Sequence, residues 1–375
     1  MDREKIHASF ETHRLNPDVT TDEYVRTRRI QLGKSVMDRE RVYLDKRYWI
    51  ILRNVVLGRS DDQSSIELLA ALRARVNSKL SICPISETLF LELLKQQDLH
   101  TRKATAVLID ELSEGVTLVP HPERVATELA HFFYSYYQQG ELHSLDDLVW
   151  SKLSYVLGVQ HPTNTIFDED EERVIQKAFF DYLWDCSLSK MVDLIGSNLP
   201  PSLDYDAVTQ KLNEDSAKHA DKIKTFSQAY RAEMVGSLSL FMSVAHEVLE
   251  DVFNRATGKQ VQTSNAERRE HENQLLAFFS AAIEKKEVVL AMRTLHIGAL
   301  CHAAVRWDKK RKLTGNDLFD FHHAEAAIGY CNVFLTEKPL RTMLQQNHLG
   351  LRQDFPCKVI SSLSEVTEWA KHVDG

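Results

Sequence analysis

Residues 316–338, NDLFDFHHAEAAIGYCNVFLTEK, decide how this chain folds. Asp317 and Asp320 stand just before a run of small residues, 321–328, that predicts a helix. A short apolar run, 332–335, predicts a strand, and Thr336 and Glu337 follow at its end. An acid at a helix start and another at a strand end are the makings of a convergent carboxylate site. Such a site holds divalent metal when further acids arrive from other strand ends. Asp45 and Glu92 meet that requirement.

Upstream of this stretch, strands and helices alternate. The run 41–45, RVYLD, is β-prone and ends on the acid Asp45; helices follow at 48–57, closed by Gly58, and at 64–78. A second strand, 80–85, is followed by Ser86 as N-cap of a helix carrying Glu92. A helix over 102–113, a strand over 116–119 and a helix over 122–137 continue the pattern. Downstream come a helix over 338–346, a strand over 357–361 and a helix over 363–371. This alternation predicts an α/β fold, a parallel sheet flanked by helices. Between 144 and 307 almost no strand signal is present. Candidate helices there span 145–157, 171–196, 205–251 and 266–306, with breaks at Pro200–Pro201 and 257–265. The expected organisation is a charged N-terminal extension, 1–40, then the first part of the α/β domain, 41–140. A large all-helical insert, 141–308, precedes the second part, 309–375. In the extension, Thr20 or Thr21 caps a helix over 21–32, with Glu23 in its first turn.

The bulk properties bound the function. With 375 residues, 43% of them apolar, the chain can bury a large core, in two domains or in one with an insert. A net charge of −8 opposes a broad basic face that coats nucleic acid, while leaving room for local binding of a short RNA segment. No apolar run approaches the length of a membrane span, and the opening MDREKIHASFETHR has no apolar core. The five cysteines form no CxxC pair and read as buried thiols of a reducing compartment. The expectation is a cytoplasmic protein without membrane contact.

The placement of these motifs resembles a known family. YLD at the end of the first strand, Ser86 to Glu92 on the next helix, DFHHAEAA from Asp320 and then FLTEK to Lys338 resemble the PIN-domain ribonucleases. They are closest to bacterial PIN-like proteins with a Y-C-D-x-F-x-T-D-K ending, which reads YCNVFLTEK here. The resemblance covers roughly 41–135 and 310–372. It implies that Asp45, Glu92 and Asp320 are metal ligands and catalytic residues, with Glu337 as the fourth acid, holding Mg²⁺ or Mn²⁺. It implies a metal-dependent endoribonuclease that hydrolyses RNA phosphodiester bonds through activated water. The family's usual employment adds toxin-type or phage-defence RNA cleavage. The insert would then select substrate, hold a protein partner or join a second copy. Two departures stand out: Lys46-Arg47 replaces the common Thr-Asn, and Glu337 replaces Asp. Glu87 competes with Glu92 for the helix position. The alternatives are an inactive PIN-like binding module and a nuclease directed at DNA.

Further residues complete the candidate set. The run Lys309, Lys310, Arg311, Lys312, together with Lys46 and Arg47, offers cations for RNA phosphates. A second basic group, from Arg26 to Arg41, lies near the first strand. Asp317 with Asn316 reads as a helix cap. The adjacent His322 and His323 face different sides of a helix, one packed and one exposed. His246-Glu247 lacks the second histidine of a zinc-protease motif, since position 250 is Glu250. Arg293, His296 and His302 follow no spacing that defines a site.

Overall fold

The computed structural model describes residues 3–137, 142–197, 205–260 and 263–371, so the break expected at Pro200–Pro201 lies outside them. The described chain is mostly helical, with short strands β1 Glu40–Leu44, β2 Ser81–Ile82, β3 Val116–Leu118, β4 Trp150–Lys152, β5 Val333–Leu335 and β6 Lys358–Ile360. It divides into two compact units. One comprises Met1–Pro120, Asp146–Pro200 and Leu363–Gly375; the other comprises His121–Leu145 and Pro201–Ser362.

In the first unit, β1 and β2 run parallel, Glu40 opposite Ser81 and Arg41 opposite Ile82. Val42, Tyr43 and Leu44 are fully buried, which a parallel strand covered on both faces requires. Asp45 follows and caps the Lys46–Val56 helix, accepting from the Tyr48 N–H at 3.3 Å. Ser86 occupies the expected N-cap of Glu87–Leu94, but its hydroxyl bonds the buried Tyr43 hydroxyl at 2.6 Å instead of the helix backbone.

Two expectations need correction here. First, β3 continues the parallel run only through a single bridge, Thr117 opposite Ile85. It pairs antiparallel with β4, Thr117 opposite Ser151. This strand lies inside the stretch expected to be all-helical. Only three residues pair, so no alternation betrayed it, and the spacing of Leu145, Val149, Leu153 and Val156 imitated a helix. Second, residues 1–40 are no mere extension. Helix Arg3–Arg14 packs on helix Glu169–Trp184, where His13 and Ser9 meet Asp181 at 2.9 and 2.7 Å and Tyr24 donates to the same carboxylate at 2.6 Å. Thr20 caps Thr21–Met37 in a full capping box with Glu23. Gly33 on that helix lies against the Asp147 backbone, which any Cβ would strike.

In the second unit, β5 and β6 run parallel, Phe334 opposite Val359. The α/β reading therefore holds at the level of short parallel strand pairs among many helices. The unit's core gathers Val125, Leu129 and Phe133 from the His121–Tyr137 helix. Met234, Leu238, Met242 and Phe279 join them from later helices, and Leu295 and Ala299 from Arg293–Trp307. The stretch expected as one insert, 141–308, is thus shared: 146–200 belongs to the first unit and 201–308 to the second. The Gly315–Tyr330 helix begins earlier than expected because Thr314 and Asp317 close a capping box. Asp317 and Asp320 consequently lie inside the helix and not ahead of it.

Candidate metal centre

Three helices of the second unit carry polar residues on the faces they bury. His121, Arg124 and Glu128 lie at helical spacing on the first, His121–Tyr137. Thr294, Gly298, Cys301 and His302 do so on Arg293–Trp307, and His322, Glu325 and Tyr330 on Gly315–Tyr330. Each helix also presents apolar neighbours, so the polar groups are carried inward by the packing of the rest.

The tightest cluster is His121, His322 and Glu325, whose ligand atoms all lie within 4.8 Å of one another. His322 Nδ1 stands 2.9 Å from Glu325 Oε2, and His121 Nε2 stands 3.3 Å from the same oxygen. The two imidazoles meet edge to face at 5.0 Å between centroids. Glu325 is buried while both histidines are half-buried, so a cation can reach the group from the histidine side. Burial works to raise the Glu325 pKa, but the facing His322 and His121 outweigh it and hold the carboxyl far below the usual carboxylate range. The other oxygen, Oε1, occupies the space that a side chain at Gly298 would take: a Cβ there would overlap it and lie 3.2 Å from Cδ. The trio can hold a metal ion. Cys301 is fully buried nearby, and burial pushes its thiol well up.

A second network lies deeper between the same helices. Glu128 is fully buried and accepts from the Thr294 N–H at 3.0 Å, the Thr294 hydroxyl at 2.5 Å and the Tyr330 hydroxyl. Arg124 donates to the Thr294 hydroxyl at 3.1 Å. Burial raises the Glu128 pKa despite these donors. This network ties the three helices together at a fixed rotation, and so sets the direction in which His121, His322 and Glu325 project.

The acids singled out in the sequence are distributed between the units. Asp45 is buried as a helix cap, and Glu92 forms an ion pair with Lys46 at 3.3 Å. Asp320 is half-buried on the helix that supplies the trio. Glu337 is exposed just past β5, at the N-cap of Lys338–Leu344. Glu87 is buried at the start of its helix. Lys46 and Arg47 are exposed on the first turn after Asp45. Lys309 and Lys310 lie in an exposed loop; Arg311 there pairs with Asp317. Lys309, Arg311 and Lys312 line a cavity of about 300 Å³, with Trp307, Arg306 and His302. His302 packs edge-on against Phe321 at 4.9 Å and feels the charge of both Glu325 and His322, so this cavity adjoins the trio.

His121 was missed in the sequence because it follows Pro120 as an ordinary helix start. In the adjacent pair, His322 is half-buried and His323 is fully packed. The H-x-x-E spacing from His322 to Glu325 was the available signal. Arg293 donates to the Gly329 carbonyl at 3.0 Å, and His296 bonds the Tyr230 hydroxyl at 2.8 Å, its own pKa pushed by burial down to about 4. Comparison of the chain with family models, with curated proteins and with solved structures yields no match.

Proposed function

We propose that this protein is a metal-dependent phosphodiester hydrolase acting on RNA, with His121, His322 and Glu325 as its metal ligands. The observation that carries the reading is the trio itself: two imidazoles and one carboxylate, pre-assembled on a scaffold of three helices and open on one side. Two nitrogens and one oxygen suit Zn²⁺ or Mn²⁺ better than Mg²⁺, which prefers an all-oxygen shell. The space left by Gly298 supports the fit, because it lets the carboxylate sit where both histidines reach it. An ion bound there would supply Lewis acidity and a more acidic water. The chain's own contribution is positioning. The Glu128 network fixes the helices, Glu325 orients both histidines, and Lys309, Lys310 and Lys312 draw a phosphate chain toward the adjoining cavity. There Trp307, partly exposed, offers a face for a base.

A second reading keeps Asp45, Glu92, Asp320 and Glu337 as an Mg²⁺ or Mn²⁺ site, as the family resemblance implies. It is favoured by Asp45 and Glu337 standing just past the carboxyl ends of β1 and β5. The Lys46–Glu92 ion pair favours instead a structural role for those acids in a binding module.

Cleavage of labelled single-stranded RNA with Zn²⁺, Mn²⁺ or Mg²⁺ separates the readings. The proposal expects His322→Ala and Glu325→Gln to abolish cleavage while Asp45→Asn and Asp320→Asn keep it. The reverse pattern transfers the chemistry to the four acids. No cleavage with any ion, together with no ion binding, refutes both.

A further inference from the structure

The second unit contains a cavity that the proposed hydrolase does not use. It has a volume of about 690 Å³ and opens between the helices His121–Tyr137, Met242–Thr257 and Asn265–Ala282. That volume lies within the usual range for small-molecule sites. Its walls are aromatic to an unusual degree, with Phe132, Phe133, Tyr136, Tyr137, Phe253 and Phe278 all facing it. Phe132 stacks on Tyr136 at 6.4 Å with planes 23° apart, and Phe133 lies 5.5 Å from Phe132. Four of the six, Tyr136, Tyr137, Phe253 and Phe278, expose between 48% and 68% of their surface, a cost in water that an occupant would remove.

The polar lining is concentrated in one small group. His246, buried to 97%, places Nε2 3.2 Å from His271 Nδ1. Its other nitrogen, Nδ1, is buried without a hydrogen-bond partner and lies 3.6 Å from the Glu250 carboxylate, beyond bonding distance. Thr263 donates to Glu250. Among the described residues, no lysine or arginine lines the cavity. Glu250 is therefore the sole full charge among the described residues of its wall.

We infer that this cavity is a binding site for a planar heteroaromatic ligand, neutral or cationic, that lays its ring against the aromatic wall and turns a ring or exocyclic nitrogen toward His246 and Glu250. The shape argues for a ring over an acyl chain: flat faces gain most from stacking on Phe and Tyr, whereas chains gain from branched aliphatic walls. The charge argues against phosphates and carboxylates, which would meet Glu250 with no compensating cation. His246 Nδ1 is buried with no hydrogen bond and only the 3.6 Å approach of Glu250 to compensate it, and a ligand nitrogen supplies the missing hydrogen-bond partner. This site is separate from the metal trio, and its occupancy does not depend on the proposed hydrolysis.

The test is calorimetric titration of the full chain with three probes of one size: 4-aminoquinoline, quinoline and naphthalene-1-sulfonate, with decanol as the chain-like contrast. The inference expects 4-aminoquinoline to bind most tightly and naphthalene-1-sulfonate about tenfold or more weaker, the scale of one lost charge-assisted contact. Glu250→Gln should bring 4-aminoquinoline down to the affinity of quinoline. Phe253→Ala, at a half-exposed position that the fold tolerates, should weaken both bases by about fivefold, as the loss of one stacking face implies. Circular dichroism and melting temperature should be unchanged in both variants. The inference is overturned if no aromatic probe binds, if the sulfonate or decanol binds as well as the bases, or if Phe253→Ala leaves affinity unaltered. It is equally overturned if sedimentation shows that the aromatic wall is closed by a second copy, in a dimer that Phe253→Ala dissolves.

Discussion

Replacing Gly298 by alanine puts the metal-centre proposal under a test with two opposite signs. In the middle of the Arg293–Trp307 helix, Gly→Ala ordinarily stabilises by about 1 kcal/mol, because alanine loses less backbone entropy. Here the added Cβ overlaps Glu325 Oε1 and stands 3.2 Å from Cδ. The obstacle is the far end of a flexible side chain, so the helix can survive while the carboxylate retreats by roughly 1 Å to ordinary van der Waals distance. That retreat draws Oε2 away from His121 and His322. Disturbing the orientation of a metal ligand costs about 10- to 100-fold in affinity. At a metal concentration of about one hundred times the wild-type Kd, bound metal stabilises by about 2.7 kcal/mol; a tenfold weaker Kd leaves about 1.4 kcal/mol. At about 2–4 °C per kcal/mol, the metal-induced rise in Tm should fall by roughly half. The assays are calorimetric titration with Zn²⁺ and Mn²⁺, and melting with and without EDTA. Unchanged or raised stability in EDTA together with weakened metal binding is the expected pair. A Gly298→Ala protein that binds metal within about twofold of the parent would refute the assignment of Glu325 as a ligand.

Other consequences follow from the same geometry. In the metal-free protein, the Glu325 pKa is depressed, so its stabilising ion pairs are in place above about pH 4.3, where an unfolded glutamate titrates, and are lost as pH falls toward the lower folded value; Glu325→Gln should remove that acid-limb loss from a Tm-versus-pH profile. Glu128→Ala takes the acceptor from the Thr294 N–H, the Thr294 hydroxyl and Tyr330, and should cost about 3–5 kcal/mol in urea denaturation; a cost under about 1 kcal/mol would mean the network does not fix the helices. Asp45→Ala removes a helix cap and should cost about 1 kcal/mol, whereas Asp45→Asn keeps the cap and should be nearly silent in both stability and RNA cleavage. Changing Lys309, Lys310 and Lys312 together to glutamine should flatten the slope of log affinity for single-stranded RNA against log salt by about 2, and an unchanged slope would remove this loop from the RNA path.

Much of the fold was readable where local physics is strong. The capping box at Thr20, the buried run 42–44 ending at Asp45, and the final helix Leu363–Lys371 all follow from cap chemistry and apolar spacing. What escaped was decided by partners far along the chain. β4 is three residues long, and its identity depends on pairing with β3. The role of Arg3–Arg14 depends on Asp181, more than 160 residues away, which gathers Ser9, His13 and Tyr24. The division of the expected insert depends on which core each helix joins, and apolar spacing alone does not specify a partner.

The candidate site was hidden for a related reason. Acids at strand ends announce themselves along the sequence, while the trio needs His121 to meet His322 and Glu325 across two hundred residues. What the sequence does carry is a cost. A helix that buries Arg124 and Glu128 on one face and half-buries His121, opposite Glu325 and Tyr330 on another, forgoes apolar contacts that leucines would supply, and each ionisable group taken from water must be compensated. Stability alone does not call for such a face. Glu128 is satisfied by hydroxyl and backbone donors, whereas the donors of Glu325 are two imidazoles with access to solvent, and its carboxylate sits buried beside a glycine that makes room for it. A purely structural carboxylate would be better served by backbone donors, as Glu128 is at Thr294. A ligand carboxylate requires what Glu325 has, neighbours that are themselves donors to the same cation.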